Sequence, residues 1–490
     1  MRGMRTMLWG AVGLALSLVW ADPAQAVRPG GQPDKDWGSA EGQKCAECHK
    51  KESPGLWGQW NDSQHGQNAV DCLDCHKADA KDADAFEHKG QMIAVLVTPK
   101  DCARCHATEV AEQQRSHHAT AARILESLDN LLGEVVGGPA AVTTGCFQCH
   151  GVTVKLDEKK RPTKETWPNT GIGRINPDGT LGACSACHGR HEFSRRQARE
   201  PDTCGKCHIG PDHPQLEVYN ESKHGIIYRA NVDKMNMDAD KWEAGVDYTA
   251  APTCATCHMS AVPGRPKTHD VGERISWNLR SPVSDKINLV RLDNNRSFDV
   301  PEGKPLPKVG DTLKDRDNAK VIEVLTWKDR RSRMSDVCYA CHGDAFVEGH
   351  YFQLDSLVDL YNDKFAKPVR AIMADLKAMG KLTPAPFDEK LEWIWWELWH
   401  HEGRVARHGA SMMGPDYAWW HGMYEVAKHT YFEFIPELKH AVGDKVAGEL
   451  LEKHFKPIQG HDWYFNGMNK EALEKIRKEY EKRYGKGAMD

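Results

Sequence analysis

The chain has 490 residues, with 65 lysines and arginines against 70 aspartates and glutamates, for a formal net charge of −5. No concentrated basic face is implied, so a nucleic-acid partner is not expected. With 40% hydrophobic residues and no long low-complexity tract, the chain is expected to fold over most of its length, and its length allows two or three domains.

The first residues read as an export signal. Arg2 and Arg5 make a basic start, residues 7–20 are almost wholly apolar, and Ala24, Gln25 and Ala26 present small residues at a cleavage position. The apolar run is short for a bilayer span. Residues 1–26 are therefore expected to be a signal peptide cut after Ala26, delivering a soluble protein to the periplasm.

The 16 cysteines then appear in a strict pattern. They fall as Cys45/Cys48/His49, Cys72/Cys75/His76, Cys102/Cys105/His106 and Cys146/Cys149/His150. The pattern continues as Cys184/Cys187/His188, Cys204/Cys207/His208, Cys254/Cys257/His258 and Cys338/Cys341/His342. Positions i, i+3 and i+4 share one face of a helical turn. Two thiols there can bond the two vinyl groups of a haem, and the following imidazole can bind its iron. Zinc would need two such pairs per ion and no histidine each time. Cysteines three apart in a helical turn are poorly placed for a disulfide. The pattern implies eight covalently attached c-type haems and no spare thiol.

The motifs crowd residues 45–258, with one outlier at 338–342. A haem about every thirty residues leaves little room for a side-chain core, so the haems are expected to be the core there. Residues 27–350 form the expected octahaem domain, with a haem-free insertion at about 259–337. In that insertion, Ile287 to Val290 and Val321 to Leu325 predict short strands. Beyond about Tyr351 the periodicity turns helical: Leu354, Leu357 and Tyr361, then Val369, Ile372, Met373 and Leu376. Trp393, Trp395, Trp396 and Trp399 follow. A long helix is expected around residues 417–432, and a charged helix striped by Leu473, Ile476, Tyr480 and Tyr484 near the end. Residues 351–490 read as a helical domain suited to an oligomer interface. The expected fold is mainly α with little β.

An electron-carrying haem needs a sixth ligand, and 17 histidines lie outside the motifs. Three share a local pattern, Ser63-Gln64-His65, Ser116-His117-His118 and Ser222-Lys223-His224, which favours His65, His118 and His224 as ligands. His191 follows His188 by one helical turn. His269, His350, His408 and His421 are further candidates, and His88 is a weaker one. Which histidine serves which haem is not legible at this point.

The chain resembles the octahaem hydroxylamine oxidoreductases over nearly its whole mature length. Besides the eight motifs, the resemblance rests on Trp167-Pro168-Asn169-Thr170-Gly171-Ile172-Gly173-Arg174-Ile175-Asn176-Pro177-Asp178-Gly179, on Gly210-Pro211-Asp212-His213-Pro214, and on Thr268-His269-Asp270. It rests also on Arg407-His408-Gly409, Gly414-Pro415-Asp416-Tyr417 and Trp420-His421-Gly422-Met423-Tyr424-Glu425. The resemblance implies that the haem at Cys146, Cys149 and His150 is catalytic and has no protein sixth ligand, with Asp212 and His213 over its open face. It implies a haem-rich domain followed by a helical domain, and a homotrimer. In oxidative members a tyrosine of a neighbouring subunit is bonded to the catalytic haem. Here Tyr417 is the first choice and Tyr424 the second. The two are expected on one helix face that also carries Trp420 and Tyr431. The family's membrane-bound relatives carry a C-terminal hydrophobic helix that residues 470–490 do not supply.

The activity so implied is oxidation of hydroxylamine to nitric oxide or nitrite, with His213 as proton acceptor and Asp212 orienting it or sharing the load. Electrons would pass through bis-histidine haems to a soluble or membrane c-type cytochrome. The alternatives are a reductive homologue taking nitrite or hydroxylamine to ammonia, oxidation of hydrazine, and a non-enzymatic electron conduit. No Cys-x-x-Cys-Lys motif of the pentahaem nitrite reductases is present.

Overall fold

In a computed structural model, residues 38–125 and 131–487 are described. The expected signal peptide, residues 1–26, lies outside them. The fold is mainly helical with little strand. Up to residue 258 the described helices are short, the longest being Ala40–Glu52 at 13 residues. Helices this short gain little from propagation and depend on their ends. Capping boxes supply those ends. Asp71 caps Cys72–His76, Thr98 caps Pro99–Cys102, Thr253 caps Cys254–His258 and Thr326 caps Trp327–Tyr339. Each of these four helices carries or begins a cysteine motif. Several motifs are also closed by the expected i to i+4 hydrogen bond. His106, His188, His208 and His342 donate their backbone N–H to the carbonyls of Cys102, Cys184, Cys204 and Cys338 at 2.8–3.0 Å.

The three Ser-x-His segments share one local structure. Ser63, Ser116 and Ser222 are buried, and each hydroxyl donates at 2.7 Å to the carbonyl three residues back. Ser63 and Ser222 also accept from the N–H of Gly66 and Gly225, at 3.1 and 3.2 Å. Each of these two serines thus ends one helix and starts the next, and the histidine two positions on stands in a fixed first turn.

The insertion is a five-stranded antiparallel sheet. Asp285–Leu292 pairs with Ala319–Leu325 and Ser297–Pro301, with Val290 opposite Val324 and Phe298. The helix Trp327–Tyr339 leaves this sheet and brings the eighth motif back to the others. Its Arg330 is buried and bonds Asp299 at 2.8 Å, the Ile287 carbonyl at 3.2 Å and the Gly272 carbonyl at 2.6 Å, tying helix to sheet.

The C-terminal helices bury the expected stripes. Tyr361, Val369, Ile372, Leu376, Phe434 and Leu438 are fully buried in one apolar cluster. The helix Asp344–Tyr361 runs across the expected boundary at residue 350. The stripe of Leu473, Ile476, Tyr480 and Tyr484 on Lys470–Tyr484 is exposed, and that helix has no buried residue. One expectation changes. Tyr417, Tyr424 and Tyr431 do not share a face. The segments Trp419–Tyr424 and Thr430–Phe434 are π-helical, and their wider turns break the seven-residue phase of an α-helix. Tyr417 is half-buried against His421, Tyr424 is exposed beside Trp419 and Trp420, and Tyr431 is buried against His461. Among the described residues no helix is long and apolar enough to cross a membrane.

Candidate functional site

One continuous cavity of about 4140 Å³ runs through the cysteine-rich half. It is lined by residues of motifs three to eight, by Cys75 of the second, and by His65, His118, His224, His269, His350 and His408. An iron bonded to two imidazoles at about 2 Å each holds the ring centres roughly 6 Å apart. Six pairs meet that spacing: His49 and His88 at 6.4 Å, His65 and His106 at 6.1 Å, and His76 and His191 at 6.3 Å. The others are His118 with His208 and His224 with His342, both at 6.1 Å, and His208 with His213 at 6.3 Å. In each pair one ring belongs to a motif and the other does not. His269 acts electrostatically on His188, ahead of His106 and His65.

Protonation suits ligation as well. Burial pushes His118, His188 and His191 down to about 4, and His208 down to about 3, so each ring is neutral at pH 7 with a lone pair to give. Nδ1 of the motif histidines His76, His150 and His258 lies 2.9, 3.1 and 3.2 Å from the carbonyls of Ala94, Ala121 and Val271. A proton on that nitrogen leaves Nε2 for a metal. The chain's residues therefore fit haem iron on independent geometric and chemical grounds.

The thiols show how the motifs adjoin. Cys102 adjoins Cys184, Cys149 adjoins Cys207, and Cys204 adjoins Cys254. Cys45 with Cys72, Cys75 with Cys105, Cys187 with Cys204 and Cys257 with Cys338 lie within electrostatic reach. These contacts join all eight motifs in one array. The fourth motif meets it through the sixth, as a side branch.

The two ends of the array differ from its middle. Cys48 of the first motif and Cys341 of the eighth are exposed, and both lie outside the cavity lining. The reason is their place in the array. Each end motif turns its first thiol inwards, Cys45 to Cys72 and Cys338 to Cys257, and has no further motif to cover its second. Cys105 is exposed as well, but it lines the cavity. Cys48 and Cys341 keep the i, i+3 spacing within their motifs, so exposure changes their surroundings and not their fitness to hold a vinyl carbon.

Beside the side branch stands the Asp-His pair. His213 Nδ1 is 2.6 Å from Asp212 Oδ2, and both residues act electrostatically on Cys149. Burial raises the Asp212 carboxyl. The His213 hydrogen bond, with His400 and Arg404 behind it, outweighs burial and holds the group at about 2. Asp212 therefore stays ionised at neutral pH. It stands placed to orient His213 through that hydrogen bond. His213 also lies 6.3 Å from His208, centre to centre. His118, set by the Ser-x-His turn, has the same reach to His208.

His88, the weaker candidate, stands opposite His49 on the hairpin Phe86–His88/Gln91–Ile93. His191 stands opposite His76, though residues 189–192 form a turn and not the expected helix. His350 lies among Arg331, Asp355 and His342. His408 is not brought opposite a motif histidine. It is buried, with Nε2 3.3 Å from Gln215 Nε2, and its pKa is depressed by burial, then by Arg407, His213 and Arg404. His421 is exposed and its Nδ1 is 2.6 Å from Asp416. Tyr417 and Tyr424 lie outside the cavity lining of this chain.

Sequence reasoning missed His400 and Arg404. Arg404 Nη1 lies 3.0 Å from His400 Nε2 and 4.0 Å from Asp212 Oδ2. The signal was available: His400, Arg404 and His408 are spaced i, i+4 and i+8, so three nitrogenous side chains fall on one helical face.

Comparison with known proteins fits this picture. The family model "Seven times multi-haem cytochrome CxxCH" matches residues 173–295. A probable nitrite reductase-hydroxylamine oxidoreductase fusion protein of Kuenenia stuttgartiensis is 24% identical over 343 residues, covering 62% of this chain and 34% of that protein. The chain thus spans about a third of the length of this curated relative. A solved hypothetical multiheme protein superposes with a TM-score of 0.66 at 26% identity, covering 85% of this chain and 97% of its own. A reducing HAO-like protein complex of Kuenenia stuttgartiensis gives 0.56 at 21% identity, covering 84% and 86%. The fold is that of a multihaem cytochrome that binds haem c covalently.

Proposed function

We propose that this chain is an exported octahaem oxidoreductase that oxidises hydroxylamine to nitric oxide or nitrite at the haem of Cys146, Cys149 and His150. The reading rests above all on the Asp212–His213 pair, 2.6 Å apart in the cavity wall beside Cys149. The haem supplies an iron that accepts the substrate's electrons. The protein's part is proton removal and orientation. Asp212, ionised, takes Nδ1 of His213 and fixes the ring, so Nε2 is the nitrogen that exchanges protons. Electrons would leave through the sixth motif's haem into the array, towards a c-type cytochrome. Replacing His213 with Ala is expected to cut hydroxylamine turnover by about 10²–10⁴-fold with haem content intact by pyridine haemochrome assay. Near-normal turnover would remove His213 from the reaction.

The exposed ring of Trp419, Trp420, Tyr424 and Phe432 supports a homotrimer with this helix in the contact. A phenol of Tyr417 or Tyr424 would then reach a neighbour's haem. Denaturing gels are expected to show trimer-sized bands that survive reductant, lost in Tyr417→Phe or in Tyr424→Phe according to which tyrosine is bonded. Monomer bands alone with an ordinary c-type spectrum would turn the assignment to a reductive enzyme of the same fold.

A further inference from the structure

The array has two ends, and electrons gathered at the sixth motif reach them by unequal routes. The eighth motif is reached through the seventh alone, by Cys204 beside Cys254 and Cys257 beside Cys338. The first is reached through the fifth, third and second. His342 and His224 stand 6.1 Å apart, a spacing that closes an iron on both faces and suits it to electron transfer. Cys341 beside them is exposed. Phe346 stacks on the His342 ring at 4.4 Å and is itself 51% exposed, so an exposed ring covers an iron ligand.

The surface at this end is aromatic and acidic. Tyr339 and Phe352 are exposed, Phe352 at 74%, and a surface cleft of about 350 Å³ is lined by both and by Glu348. The helix Asp344–Tyr361 carries Asp344, Glu348, Asp355 and Asp359 and no lysine or arginine. Asp344, Glu348 and Phe352 recur every four residues and share one face. Asp344 and Glu348 are exposed, act electrostatically on Tyr339, and stand in no ion pair among the described residues. Arg331, in the wall of the cleft, is paired with Asp355 at 2.7 Å. The first end differs. Lys44, Lys50 and Lys51 there stand against Glu41, Glu47 and Glu52, all exposed. Of the large apolar side chains on Ala40–Glu52 and Pro54–Asp62, only Leu56 is exposed, and Lys50 lies over the Trp57 ring at 4.4 Å.

We propose that the face formed by Tyr339, Phe346 and Phe352, with Asp344 and Glu348 on its rim, is where a small c-type cytochrome with a lysine-rich face docks to take electrons. The inference deepens the reading of the array as the electrons' way out, and adds the place and the charge of the dock. Exposed aromatic rings with a charged rim have the composition of a transient interface. The unpaired carboxylates steer a basic partner and repel an acidic one. Charge disfavours a second copy of this chain as the occupant, because its net charge is −5. The step moves one electron per encounter, from this end of the array to the partner's ferric iron, and no atom is transferred.

The test uses the full haem-loaded protein and needs no substrate. The probe is a lysine-rich cytochrome c with zinc in place of its iron, whose fluorescence is quenched when it docks beside a haem. Titration at low salt should give saturable quenching that weakens steeply as salt is added. Asp344→Asn combined with Glu348→Lys should weaken binding about tenfold or more and flatten the salt dependence. Phe352→Ala should weaken it about tenfold and leave the salt dependence as it was. Glu52→Lys, at the first end, should change neither. All four positions are exposed, so haem content should be unchanged in each variant. Equal losses from the changes at the two ends overturn the assignment, as does binding indifferent to salt or to the Asp344 and Glu348 changes. If Phe352→Ala alters the sedimentation size of the protein by itself, a second copy covers this face and the assignment falls. Absence of quenching in the unmodified protein overturns the dock and leaves the open-site reading standing, since hydroxylamine turnover is measured separately.

Discussion

The cysteine-rich first half and the helical end of this chain build their interiors from different materials. None of the four buried apolar clusters among the described residues includes a residue before Tyr219. Residues 361–455 hold most of one cluster of 21 buried side chains, including Phe365, Ile372, Phe434 and Phe455 at 3% exposure or less. In place of a cluster, the first half has the 4140 Å³ cavity with imidazoles spaced across it. A helix that cannot bury an apolar stripe against another helix needs a different partner, and here the cofactors fill that place. The half whose core is covalently attached should depend on cofactor delivery, and the half whose core is side chains should not.

The strongest way to break this comparison is to withhold haem. In chain produced without haem attachment, amide hydrogen exchange is expected to show residues 40–218 unprotected and residues 361–455 still protected, since metal- and cofactor-organised regions take their folding energy from the bound group. Equal protection in both halves would show that the first half has a core of its own. The converse perturbation is Phe434→Ala, which removes a fully buried ring from the C-terminal cluster. It should cost about 3–5 kcal/mol by chemical denaturation. The optical spectrum of the haems in the folded variant should be unchanged. A shifted Soret band would mean that the two interiors are coupled.

What the sequence made legible follows from how local each feature is. Haem attachment needs Cys, Cys and His within one turn, so all eight candidate sites stand in the sequence itself. How deeply each site sits is not local, and the exposure of Cys48 and Cys341 follows only from which motifs end the array. Ser-x-His was readable because a buried serine closing one turn and, in two of the three cases, opening the next fixes the histidine after it. Val369, Ile372 and Leu376 were readable because a buried face repeats at helix period. Pairing across the cavity was not. His88 reaches His49 from a hairpin that carries no repeated signal, and His191 reaches His76 from a turn. The tyrosines failed for another reason. A seven-residue spacing means one face only if the helix stays α, and the π-helical turns at Trp419–Tyr424 and Thr430–Phe434 were invisible to that rule. His408 was weighed singly as an iron ligand, and its place in a row with His400 and Arg404 was not read.

The smallest expected effect sharpens the same contrast, because it places a titration in the side-chain core and away from any haem. His429 lies between two helical segments, with Nδ1 3.1 Å from Glu402 and Nε2 3.3 Å from Glu433. The other charged groups near it are Glu425 and Lys428, which are paired with each other at 2.9 Å. The Glu402 hydrogen bond raises the pKa of His429. Burial opposes the rise, and the charges of Glu402, Glu433 and Glu425 add to it. A histidine raised above its ordinary value of about 6.5 contributes stability that is fully present below that value. That contribution is lost as pH climbs through the higher folded-state value. His429→Gln should therefore lower Tm most at about pH 6, and the two proteins should converge at about pH 9. The haem spectrum should follow the protein's unfolding without shifting beforehand. A difference in Tm that grows towards alkaline pH would reverse the sign of this argument, and would show that the neutral imidazole is the form these helices hold.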